Sequence, residues 1–176
     1  TRATHEVSNQ PPPLVGYNAW TGDPVLCATV AREGAGWVED QAASLGVADR
    51  IRWVAPVPHH LLSTYYRAAD VCLVPSRSES FGLVALEAAA CGIPVVAAAV
   101  GGLRSIVEHG RTGFLVEGGD PAYFGAYVDE VLGSPRLAAE LGRAAAERGR
   151  SFTWSTTAAR LRRLYADLAT RAPVSC

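Results

Sequence analysis

The feature that most constrains this chain is an alternation: from about residue 24 to residue 116, short apolar runs take turns with longer amphipathic stretches. Residues 25–30, 51–55, 71–74, 95–98 and 113–116 are the short runs, mostly Val, Ile, Leu and Ala. They are too short for core helices, and near-continuous apolar character marks strands of a parallel sheet buried on both faces. Between them, residues 37–45, 61–69, 82–90 and 103–108 read as helices. Gly46 closes the first, Pro58 leads into the second and Gly92 closes the third, each a residue that stops or starts helical backbone for steric reasons. Strand and helix in regular alternation predict βαβ units and a parallel sheet.

After Asp120 the period is helical only. Residues 121–132, 135–148 and 155–170 carry apolar side chains at three- and four-residue intervals, and Pro121 and Pro135 suit the first turn of a helix. In the last stretch Ala158, Leu161, Leu164, Tyr165 and Leu168 fall on one side, with Arg160, Arg162, Arg163 and Asp167 largely on the other. The expected fold is α/β: a Rossmann-like parallel sheet flanked by helices, with a helical C-terminus. Residues 1–24 form an irregular proline-rich lead with a remnant of a first strand, 25–171 one domain, and 172–176 a tail.

A chain of 176 residues suffices for one domain with a real core. Its formal net charge of −1 argues against nucleic acid or an anionic membrane as partner. No apolar run reaches the roughly 18 residues of a membrane span. The first thirteen residues, polar and then proline-rich, do not resemble a secretory signal. Cys27, Cys72, Cys91 and Cys176 stand far apart with no C-x-x-C pair, which favours buried free thiols in a cytoplasmic protein over disulfides or metal. All 16 basic residues are arginine, and the absence of methionine means the sequence does not begin at an ordinary start.

The chemistry concentrates in Pro75-Ser-Arg-Ser-Glu-Ser-Phe-Gly-Leu-Val-Ala-Leu-Glu87, which leaves the carboxyl end of an expected strand and enters a helix. Ligands of open parallel sheets bind beyond those strand ends. A helix N-terminus there presents unpaired N–H groups and the positive end of the helix dipole, which suits a diphosphate. Gly82 lets backbone come close, and Ser78 or Ser80 is expected to cap the helix. Glu87, about one and a half turns in, can accept hydrogen bonds from vicinal hydroxyls such as those of a ribose. Glu79, just before the helix, can hold hydroxyls of a sugar joined to the diphosphate. Spacing alone favours the plainer reading, of Glu79 as a residue the helix dipole prefers and Glu87 as a solvated helix residue, over ligand binding.

Tyr-Arg-Ala-Ala-Asp (66–70), Pro-Ser-x-Ser-Glu-Ser-Phe-Gly-Leu-Val-Ala-x-Glu (75–87), Cys-Gly-x-Pro-Val-Val-Ala (91–97), Val-Gly-Gly (100–102), Gly-x-x-Gly-Phe-Leu-Val (110–116) and Phe-x-Trp (152–154) stand in that order. Together they resemble the large family of retaining GT-B glycosyltransferases (group 1, family 4). Within it the nearest resemblance is to the D-inositol-3-phosphate glycosyltransferases of mycothiol biosynthesis, which take N-acetylglucosamine from UDP-GlcNAc. Sucrose-phosphate synthases and lipid mannosyltransferases share most of the pattern, so the acceptor stays open. The likeness runs over residues 25–168 and implies the C-terminal, nucleotide-sugar-binding half of a GT-B fold, with an N-terminal domain expected as partner. It implies that Glu79 contacts the donor sugar at the catalytic centre and that Glu87 holds the ribose. Backbone N–H groups around Phe81, Gly82 and Leu83 would hold the diphosphate, Ser80 would be a further donor-binding residue, and the backbone of Val57 would face the uracil. No metal is required by such a mechanism, although some relatives carry a non-catalytic Mg2+ on backbone carbonyls at residues 66–69. Retention would follow same-face attack through an oxocarbenium-like state, with electrostatic stabilisation of the departing diphosphate.

The sequence departs from that pattern in its opening. Relatives carry Val-Gly-Arg-x4-Lys, whose cations neutralise the diphosphate; here Leu14-Val15-Gly16 is followed by Tyr17, and there is no lysine. Losing one comparable electrostatic contact costs on the order of 10²–10³ in rate. Thr29-Val-Ala-Arg stands where relatives have a Gly-Gly loop. Gly34 and Gly36 make only part of a dinucleotide fingerprint and read as a turn. His59-His60 opens a helix and lacks a ligand-spaced partner for metal. Arg77 is readable as a phosphate contact or a loop residue, and Gly101-Gly102 as a turn after its strand, with donor contact the lesser alternative. The last helix is expected to lack part of its apolar cover and to invite self-association, together with the opening strand. Three functions remain: a glycosyltransferase whose other half lies elsewhere, a nucleotide-binding module without catalysis, and an inactive gene fragment.

Overall fold

The computed structural model describes residues 26–28, 35–54 and 57–171. In chain order the elements are β1 (Leu26–Ala28), α1 (Ala35–Ser44), β2 (Ile51–Trp53), α2 (His59–Arg67), β3 (Cys72–Val74) and α3 (Leu83–Ala90). There follow β4 (Val95–Ala98), α4 (Leu103–Ile106), β5 (Gly113–Val116), α5 (Pro121–Leu132), α6 (Pro135–Gly149) and α7 (Trp154–Arg171). Every ladder is parallel. β1 pairs with β2, and β3, β4 and β5 pair in that order, with Cys72 opposite Val95 and Val95 opposite Gly113. The α/β architecture read from the sequence is therefore the observed one, with helices flanking parallel strands and a helical C-terminus. Among the described residues the strands form two sheets, β1–β2 and β3–β4–β5, rather than one. The suggested strand remnant at residues 14–16 lies outside the described residues.

β4 shows why these apolar runs had to be buried on both sides. Val95 and Ala97 join one core cluster with Tyr66, Cys72, Val74, Ala85, Ala88 and Leu103. Val96 and Ala98, one residue out of phase, join a second with Phe114, Val116, Phe124, Val131 and Leu141. Alternate side chains of a strand point to opposite faces, so helices must cover both. α2, α3 and α4 supply one cover; α5 supplies the other, and α6 contributes Ala145 to the first cluster and Leu141 to the second. Each fully buried Val or Leu contributes about 1.5–3 kcal/mol of transfer free energy.

The helix starts follow local chemistry. Asp120 accepts from the Ala122 N–H at 2.9 Å and Ser134 from the Leu137 N–H at 3.3 Å, each followed by a proline in the first turn. Such caps satisfy donors that a helix start leaves unpaired. α4 ends at Ile106, two residues before the expected end, because Val107 turns to extended backbone. Gly36 lies in the first turn of α1 rather than in the expected turn. α7 leaves its apolar side uncovered: Trp154 is 90% exposed and Leu161, Leu164, Tyr165 and Leu168 are all exposed. Among the described residues no helix is long and apolar enough to cross a membrane.

Candidate functional site

The loops that follow β3 and β4 meet beyond the carboxyl end of β3. Residues 75–82 leave that end, and Gly82 opens α3 at φ +94°, a left-handed conformation that only glycine adopts without strain. No side chain caps α3, which corrects the expectation that Ser78 or Ser80 would do so. The cap position falls to Gly82, and both serines lie upstream of the left-handed turn. The first-turn N–H groups of α3 are thus left without a side-chain acceptor, at the positive end of its dipole.

The loop is seated on the next one. Gly102 N–H donates to the Glu79 carbonyl at 3.0 Å. A methyl group at residue 102 would lie 2.5 Å from Phe81 Cα and 2.6 Å from its carbonyl carbon; one at residue 101 would strike the Glu79 carbonyl. Gly101-Gly102 thus makes a turn, as expected, and also permits backbone-to-backbone approach between the loops after β3 and β4. Composition gives no hint of that second role, because the partner is more than 20 residues away in sequence.

Each predicted site residue has a definite place. Glu79 is half-buried, and its Oε1 accepts from the Phe81 N–H at 3.4 Å, so one of the expected diphosphate donors is engaged by the loop's own carboxylate. Ser80, Phe81 and Leu83 are exposed around the α3 start, and the Phe81 ring meets Phe152 edge-on at 6.4 Å between centroids. Val57 precedes α2 by two residues and is partly exposed. Glu87, on α3, is not a free carboxylate: Tyr66 Oη donates to its Oε2 at 2.9 Å, and His59 Nε2 lies 3.0 Å from its Oε1. His59 opens α2 as expected, but its contact with Glu87 and that of Tyr66 had no signal in the sequence. Burial, with help from Glu87, drives the Tyr66 phenol far above its ordinary range, so it remains a donor.

Arg77 is exposed on the loop and forms no ion pair among the described residues. The turn proposed to hold a cation is partly committed, since the Thr64, Tyr65 and Tyr66 carbonyls already accept from the N–H groups of Ala68 and Ala69. Asp70, the next residue, has a buried Oδ2 with no hydrogen-bond partner, and burial raises its carboxyl pKa. Among the described residues no group of three His, Cys, Asp or Glu gathers at ligating distance. Cys72 and Cys91 are free thiols, and burial pushes the Cys72 thiol up to about 12. The side chain of Cys27 and all of Cys176 lie outside the described residues.

Away from the loop, a cavity of about 520 Å³ opens beside β5 and α5, lined by His109, Tyr123, Tyr127 and the Arg104–Glu117 ion pair among others. It shares no residue with the segment 75–87. Arg148 of α6 donates from Nε to the Ile106 carbonyl at 2.8 Å and also reaches the Ser105 carbonyl and Glu108. That ties α6 to the end of α4, the helix which follows Gly101-Gly102.

Known proteins resemble this chain in sequence and in fold. The chain is 51% identical over 128 residues to the D-inositol 3-phosphate glycosyltransferase of Thermobispora bispora, covering 73% of this chain and 30% of that protein. It is 53% identical over 120 residues to the protein of that name from Geodermatophilus obscurus, covering 68% and 26%. The chain thus spans about 30% of the length of the curated relatives it matches. Among solved structures it is similar to the sucrose-phosphate synthase of Thermosynechococcus elongatus, with TM-score 0.73 and 36% identity over 84% of this chain and 39% of that one. It is also similar to Anabaena HepE, solved in complex with UDP, with TM-score 0.69 and 25% identity over 77% and 37%. The sequence profile described as "Glycosyl transferases group 1" matches residues 26–148, which include β1 through most of α6 and every candidate donor residue from Val57 to Glu87. The chain belongs to the group 1 glycosyl transferase family.

Proposed function

We propose that residues 25–171 are the nucleotide-sugar-binding domain of a glycosyltransferase that transfers a hexosyl group with retention, from UDP-GlcNAc or a related UDP- or GDP-sugar. The observation that carries this reading is the uncapped N-terminus of α3, with Glu79 just before it and Glu87 on its fifth residue. An anionic diphosphate suits unpaired N–H donors at a helix start. Gly82 and Leu83 would supply those donors, Glu79 would hold the sugar, Glu87 the ribose hydroxyls, and the backbone of Val57 the base. HepE, a structural neighbour, was solved with UDP, which supports a uridine nucleotide. Catalysis then consists in holding the sugar for same-face attack and stabilising charge on the departing diphosphate.

An N-terminal GT-B domain would complete the acceptor side, and the apolar side of α7 is the surface proposed to associate, with that domain or with a second copy. A non-catalytic magnesium ion at residues 66–69 belongs to the same reading; the unpartnered Oδ2 of Asp70 supports it. The free thiols Cys72 and Cys91 support a cytoplasmic location. A second reading is a module that binds the nucleotide without catalysis. Tyr17 in place of an arginine and the lack of lysine favour it for this polypeptide alone, as they favour an inactive fragment.

Titration of the purified chain with UDP and UDP-GlcNAc tests the donor site. A saturable shift lost in Glu87→Ala is expected. Absence of any saturable shift at millimolar nucleotide removes the binding claim, and sugar transfer by the chain alone removes the non-catalytic reading.

A further inference from the structure

The carboxylate of Glu87 is shared between two side chains of α2 that differ sharply in setting. Tyr66 is 4% exposed and packed in the core beside Cys72, Val74 and Ala88. The His59 side chain is 83% exposed and that of Glu87 29%. One partner is therefore fixed by packing, and the other is tethered only through its contact with Glu87 and the first turn of its helix. The torsion that turns a glutamate carboxylate is broad and roughly two-fold, so without a fixed donor its two oxygens can exchange places. A carboxylate offers about four acceptor positions, of which Tyr66 takes one on Oε2 and His59 one on Oε1.

We propose that Tyr66 is a positioning residue for the ribose site, locking the plane of the Glu87 carboxylate through Oε2, while His59 is a displaceable cover on Oε1 that yields to the ligand's diol. The inference rests on the donor-binding reading of Glu87. It assigns the α2–α3 contact a role in nucleotide recognition and explains why a buried tyrosine directs its only polar atom at a partly exposed acid. Burial keeps the Tyr66 hydroxyl protonated, so the lock persists wherever the fold does.

The test compares UDP with 2′-deoxy-UDP, which lacks one of the hydroxyls that Glu87 would accept from, using the full chain and calorimetric or fluorescence titration. Tyr66→Phe keeps the ring and its packing. It should weaken UDP binding by about five- to tenfold, the worth of one hydrogen bond, and leave 2′-deoxy-UDP nearly unchanged. Equal losses for both nucleotides, or no loss for either, overturn the positioning role. His59→Ala, at an exposed site, should bind UDP about twofold more tightly, because a competing hydrogen bond is removed. A fivefold loss confined to UDP would refute the displaceable cover. Glu87→Ala should abolish discrimination between the two nucleotides; if wild type itself does not discriminate, the ribose assignment fails and the inference falls with it. If wild type discriminates and Tyr66→Phe matches it, only the inference falls.

Discussion

Replacing Gly102 with alanine should destabilise the protein and weaken nucleotide binding, although backbone preference alone argues the reverse. Gly102 has φ −63° and ψ −22°, a conformation alanine adopts readily. Exchanging glycine for alanine in such a backbone contributes about 0.5–1 kcal/mol of stabilisation. Against this, the new methyl would stand 2.5 Å from Phe81 Cα and 2.6 Å from its carbonyl carbon. Optimal carbon–carbon separation is about 3.5–4.0 Å, so residues 79–81 must retreat by roughly 1 Å. Overpacking of this kind costs about 1–3 kcal/mol, and weakening of the Gly102–Glu79 hydrogen bond about 1 more. The collision wins by about 1–3 kcal/mol. Since m for urea is about 1–3 kcal/mol/M in small proteins, the unfolding midpoint followed by circular dichroism should fall by roughly 1 M. Gly125 is the internal control: it lies within α5, and a methyl group there meets nothing within 4 Å. Gly125→Ala should stabilise by about 0.5–1 kcal/mol. The same chemical change thus carries opposite signs at two sites. A Gly102→Ala midpoint at or above wild type, with UDP affinity intact, would refute the claim that the two loops are locked by backbone contact.

Arg148→Met removes the guanidinium that joins α6 to the carbonyls of Ser105 and Ile106 and to Glu108. Hydrogen bonds to charged groups contribute about 1.5–3 kcal/mol, so a loss of about 2–3 kcal/mol is expected by urea unfolding, and a neutral effect would count against the tie. The hydrogen bond from Arg111, joined by the charges of Arg148 and Arg111, holds the Glu108 carboxyl below the ordinary carboxylate range. A depressed acid contributes stability that is fully present above its unfolded pKa and lost as pH falls through its folded one. Glu108→Gln should therefore flatten the acid limb of a stability–pH profile below the ordinary carboxylate pKa and leave its neutral limb with unchanged slope. For α7, Leu164→Asp should reduce concentration-dependent self-association seen by sedimentation; unchanged association would move the contact to another surface.

Much of the α/β core was legible because burial on both faces leaves a direct trace in sequence. Residues 95–98 and 113–116 coincide with β4 and β5, and 121–132 with α5, since apolar runs and a cap with proline mark them locally. The strand expected over residues 51–55 forms only over Ile51–Trp53, and the helix expected over 61–69 runs from His59 to Arg67, its start marked in the sequence by Pro58 and His59 and its early end by nothing local. The exposed apolar side of α7 could likewise be read from its period.

What the sequence determined by itself is the alternation of elements, the family motif from residue 75 to residue 87, and the glutamates Glu79 and Glu87 at the start of one helix. These depend on neighbours within a few residues, which the chain order supplies. Tertiary structure alone decided the rest: that Gly82 and not a serine opens α3, that Gly101-Gly102 carries the loop of residues 79–81, and that Glu87 is held by Tyr66 and His59. The physical reason is distance along the chain. Tyr66 and Glu87 lie 21 residues apart, and a hydrogen bond between them exists only once β3 has carried the chain back so that α3 packs on α2.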